Sequence, residues 1–151
     1  MVTLFFLHNV LATAYMGGKF VTQNDKVFKS FGAALLLNCM AFAIWSFAIL
    51  TKPADLSIYV TLGVVFFIAA LVFLLNTGVQ NLKSDNRWMV LMLGGLLAIV
   101  LFYLRTFVYP SNATVSPEGF FFFNVHPLMQ MFYILGLVIT SVPAIYAVAS
   151  K

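Results

Sequence analysis

Three residues in this sequence carry side chains able to do chemistry in an apolar setting: His8, Arg105 and His126. The chain has only two histidines and one cysteine, Cys39. Two histidines on different helices can supply both axial ligands of a b-type haem, and an arginine can pair with a propionate. On this reading His8 and His126 are the metal ligands and Arg105 completes a cofactor site. A quinone head group, held by His, Tyr or Asn donors, is a second reading. Cu(I) is a third, because His126 and Met129 are three apart and would share a helix face, and imidazole and thioether suit that ion. Each has a plainer counterpart. Pro127 fits the first position of a helix and pushes His126 out of helical geometry, which makes it an interfacial N-terminal residue. His8 and Asn9 can hydrogen-bond to a neighbouring helix. Arg105 can snorkel to headgroup phosphate.

The chemistry missing from the pattern is as informative. Asp25, Asp55, Asp85 and Glu118 are the only carboxylates, and all fall between the apolar segments. Ion-coupled transporters place ionisable groups inside the membrane, and voltage sensors need a ladder of arginines. Arg105 stands alone. There is no phosphate loop, zinc-binding His-Glu-x-x-His or Gly-x-Ser-x-Gly elbow. An enzyme acting by itself is not expected. A lone cysteine also rules out an intrachain disulfide.

The elements that must position these residues follow from composition. Of 151 residues, 63% are hydrophobic and 8% charged, and the mean hydropathy is +1.03. Soluble domains are about a quarter charged, so lipid has to be the solvent for most of this chain. Unpaired backbone groups are not tolerated in hydrocarbon, and runs such as Leu91 to Phe102 do not alternate as barrel strands do. The expected fold is therefore all-α: a single polytopic transmembrane helical bundle over residues 1–151, with about five spans. The spans are expected at about 2–18, 30–50, 56–77, 88–109 and 127–150, each near the 20 residues or so that cross a bilayer. Met1 to Gly18 lacks a basic leader segment and is read as a retained first span. Asp55 and Gly78 are expected to cap the third span, Pro110 to end the fourth, and Pro143 to kink the fifth.

Net charge +4 suggests topology here, not nucleic acid. Lys19, Lys26, Lys29, Lys83, Arg87 and Lys151 fall on one side, Lys52 and Arg105 on the other. The positive-inside rule then puts the C-terminus in the cytoplasm and the N-terminus outside. His8, Arg105 and His126 are thereby gathered toward the outer leaflet. The stretch Pro110 to Gly119 is expected to be irregular. It carries Asn112-Ala113-Thr114, a glycosylation sequon by pattern, and is followed by four phenylalanines, Phe120 to Phe123, at the expected interface. Gly32-Ala33-Ala34 and Gly94-Gly95 are expected to let helices approach closely.

The run Leu7-His8 followed by Gly17-Gly18-Lys19-Phe20 resembles the first helix of small haem-associated or copper-resistance membrane proteins. The likeness is confined to that stretch and assigns no residue a role. The expected function is a small accessory subunit of a larger membrane complex, in a bacterial inner membrane or an organelle membrane. Its partners would be lipid and other membrane subunits, and an electron-transfer role would use a haem or quinone pocket near the outer leaflet. The alternative is a homo-oligomeric channel or transporter. Asn38, Thr61, Asn76 and Ser141 are too scattered to form its polar stripe.

Overall fold

A computed structural model describes residues 2–48, 56–82, 84–110, 112–115 and 121–151. Five α-helices follow in order: α1 (Val2–Val21), α2 (Lys26–Ala48), α3 (Leu56–Gly78), α4 (Ser84–Tyr103) and α5 (Pro127–Ala149). A π-helical turn, Leu104–Val108, extends α4. Between it and α5 lies an antiparallel hairpin, β1 (Asn112–Val115) and β2 (Phe121–Asn124), with Asn112 opposite Asn124 and Val115 opposite Phe121. The hairpin replaces part of the irregular loop expected there. Thr114 and Val115 in one strand and Phe121 to Phe123 in the other are residue types that suit a two-stranded ribbon.

Four helices among the described residues are long and apolar enough to cross a membrane: 26–48, 57–78, 84–108 and 127–149. The fold is thus a transmembrane helical bundle, and about five spans is close. α1 is of spanning length, but His8, Asn9 and Lys19 dilute its apolarity. α2 starts four residues before the expected boundary at 30, because the Asp25 carboxylate accepts from the Val27 amide at 2.7 Å and caps the helix. α4 likewise begins at Ser84 rather than 88. Both extensions are polar turns, which a hydropathy reading assigns to loops. α3 ends at Gly78, as expected. Asp55, Lys52, Lys83 and Glu118 lie outside the described residues.

α3 is the centre of the bundle. α2 packs along one side of it and α5 along another, while α1 lies on α2 and α4 leans on α3. Glycines mark the close contacts. A Cβ on Gly32 would meet the backbone of Gly17 and Val21, one on Gly63 the Trp45 indole, and one on Gly94 the Leu75 side chain. One on Gly78 would meet the Pro143 ring, and α5 continues as helix through that proline to Ala149. In lipid, packing of this kind replaces the hydrophobic drive that joins helices in water. Polar cross-links add to it. Trp45 Nε1 donates to the Val60 carbonyl, and Cys39 Sγ to that of Val10, each at 3.4 Å.

At one end of the bundle, Ser30 Oγ donates to the Phe73 carbonyl at 3.1 Å and accepts from Asn76 Nδ2 at 2.8 Å. Arg87 Nη2 in turn donates to Asn76 Oδ1 at 3.2 Å. This chain of bonds ties α2, α3 and the start of α4 together. At the same end Lys151 pairs with Asp25 at 3.2 Å, joining the C-terminus to the α1–α2 connection. The basic side read from the sequence is therefore one physical end of the molecule.

Candidate site at the hairpin end of the fourth and fifth helices

Arg105 sits in the π-helical turn, which closes with the Tyr109 amide donating to the Leu104 carbonyl at 2.7 Å. A π turn inserts a residue into the helical ladder and is frequent at functional sites. The side chain is 4% exposed, so it does not snorkel outward. Moving an arginine toward the bilayer centre costs about 2.5–3.5 kcal/mol on insertion scales, and some interaction inside the bundle has to offset that. From α5, the Tyr133 hydroxyl faces the guanidinium. Arg105 Nε, Tyr133 Oη and Thr106 Oγ1 are nonetheless all buried without a hydrogen-bond partner. Each such atom costs about 1–3 kcal/mol. Arg105 Nε and Tyr133 Oη, on side chains that face each other, make an unsatisfied pair rather than a finished structural contact.

Below this pair, α4 and α5 diverge. A cavity of about 440 Å³ lies between α3, α4 and α5, lined by residues such as Leu71, Leu75, Leu97, Leu101, Gly136 and Ile139. Leu101 is about one turn from Arg105, and Gly136 one turn from Tyr133, so the donors lie just beyond this end of the apolar cleft, outside its lining. Tyr133 also meets Phe67 of α3 edge-on at 6.0 Å between centroids, which fixes the ring.

The two histidines singled out from the sequence are not brought together. His126 is the N-cap of α5, with Pro127 in the first turn, and its Nδ1 accepts from the Leu128 amide at 3.3 Å. Its ring stacks on Tyr109 at 4.4 Å between centroids. It is exposed, while Met129 is fully buried, so the pair expected for Cu(I) does not share a face. The helical register assumed for it begins only at Pro127. His8 is exposed on α1, which packs on α2, whereas α5 packs on α3; the two histidines stand on helices with no packed interface between them. Among the described residues there is no group of three or more His, Cys, Asp or Glu side chains placed to hold a metal. Tyr133 and Thr106 were not marked by the sequence. A tyrosine in an apolar helix reads as an anchor until a neighbouring helix supplies its cation. No family model, curated protein or solved structure matches the chain.

Proposed function

We propose that this chain is a small membrane subunit that works inside a larger membrane complex. The observation that supports it most is the state of α4. Only 11% of that span is buried, against 33% of α3. Trp88, Met92, Leu96, Ile99 and Tyr103 are all more than half exposed. Gly63, Gly94 and Gly136 each face a neighbouring side chain, but a Cβ on Gly95 would meet nothing within 4 Å. A glycine in mid-span lowers helix stability by about 1 kcal/mol relative to alanine, and a partner helix packing closely at that point offsets the cost. The Asn76 side chain, which a pore would need free, is held by Ser30 and Arg87; this favours the subunit over the channel.

The test is native electrophoresis of the chain extracted in mild detergent from its own membrane. It should migrate well above 16.8 kDa together with other proteins. Gly95→Leu should release it from that assembly while leaving it inserted. Migration of the unaltered protein as a lone chain or simple homo-oligomer overturns the proposal. No cofactor enters this reading, because His8 and His126 are not brought together.

A further inference from the structure

We infer that the α3–α4–α5 cleft is a binding site for an anionic phospholipid, with one acyl chain between the helices and the phosphate on Arg105 and Tyr133. Two independent features meet there. The first is shape. From Val90 to Leu101 the cleft follows α4 for about 16 Å at 1.5 Å per residue, about half the ~30 Å hydrocarbon thickness and thus about the length of one acyl chain. Its lining is apolar from end to end apart from Thr140, whose hydroxyl donates to the Gly136 carbonyl at 2.8 Å and needs no further partner. The second is charge. Arg105 is a buried cation, and the only ion pair among the described residues is Asp25 with Lys151, at the opposite end.

A phosphate answers the Arg105 and Tyr133 deficits at this end of the cleft. Its oxygens accept from the Arg105 Nε and from the Tyr133 hydroxyl, both without acceptors, and guanidinium matches phosphate in geometry. Arg105 stands near the end of its span, which closes at Val108, where headgroups are expected to begin. A neutral quinone would fill the cleft but leave the charge uncompensated; a free phosphate would answer the charge but leave the cleft empty. A phospholipid does both, and an anionic one, with no choline ammonium to cancel its phosphate, also leaves a net negative charge to set against Arg105.

The full chain, stripped of lipid and reloaded from vesicles of phosphatidylglycerol or of phosphatidylcholine, would be weighed by native mass spectrometry with its bound lipid intact. Phosphatidylglycerol should be retained at least tenfold better than phosphatidylcholine. Arg105→Gln should abolish that preference, and Tyr133→Phe should reduce it. Gly136→Leu should lower retention of both lipids. A Cβ there meets only Leu71, at an ordinary 3.5 Å, so the longer side chain enters the cleft and the bundle is kept. Inorganic phosphate should not displace the lipid. Equal retention of the two lipids, an undiminished preference in Arg105→Gln, or displacement by phosphate or by an isoprenoid quinone overturns the inference. These readouts use the isolated chain, so they are separate from assembly into a complex.

Discussion

At Gly63 the Trp45 indole occupies the space where a side chain would begin, and its Nε1 reaches the Val60 carbonyl one turn away. Two effects oppose each other if alanine is placed there. Helix propensity improves by up to about 1 kcal/mol, while overpacking costs about 1–3 kcal/mol. Displacing the indole also endangers its hydrogen bond, so overpacking wins. Gly63→Ala should lower the melting temperature in detergent, whereas Gly18→Ala, with nothing within 4 Å of the new Cβ, should hold or raise it. Asn76 is the other residue with a sharp prediction. It bridges Ser30 and Arg87, and polar cross-links between membrane helices average about 0.6 kcal/mol and reach about 2. Asn76→Ala should destabilise within that range. A double-mutant cycle with Ser30→Ala should show coupling, since one bond joins the pair.

At the level of elements, α2 is held at its start by Asp25. The Val27 amide, the Lys151 ammonium and the Phe28 amide favour its ionised form, and together they hold the carboxyl below the ordinary carboxylate range. A depressed folded value means that the stabilisation is complete above the unfolded-state value. It is lost as the pH falls through the folded one. Thermal stability should therefore decline in acid more steeply for the unaltered protein than for Asp25→Asn, and the two should converge below the carboxylate range. A constant gap at all pH values would assign the effect to something other than ionisation. The π turn after α4 belongs to this scale too. It carries the buried Arg105, and it ends at Tyr109 and Pro110, where the sequence places a stop.

For the molecule as a whole, the Asp25–Lys151 pair and the Ser30–Asn76–Arg87 chain share one end, and the hairpin and His126 occupy the other. On the positive-inside rule the first end is expected to face the cytoplasm. With Cys39 replaced by alanine, Asn24→Cys and Ser150→Cys should react with an impermeant maleimide only after cells are opened. Pro110→Cys should react in intact cells. Labelling of Asn24→Cys and Pro110→Cys from the same side would contradict the fold.

Much of this was legible in the chain. The apolar segments, the stop at Gly78, the start of α5 at Pro127 and the close approach at Gly32 and Gly94 all follow from local rules. Hydrocarbon forces the backbone to bond to itself, and glycine admits a neighbour wherever the helix turns. The candidate site was legible only in Arg105, an isolated charge in an apolar helix. Tyr133, Thr106 and the cleft came from the arrangement of α4 and α5, which no spacing within either helix encodes. The two histidines drew attention by rarity alone. Their separation was decided by which helix packs on α3 and which on α2, and that choice rests on side-chain fit between segments distant in the chain.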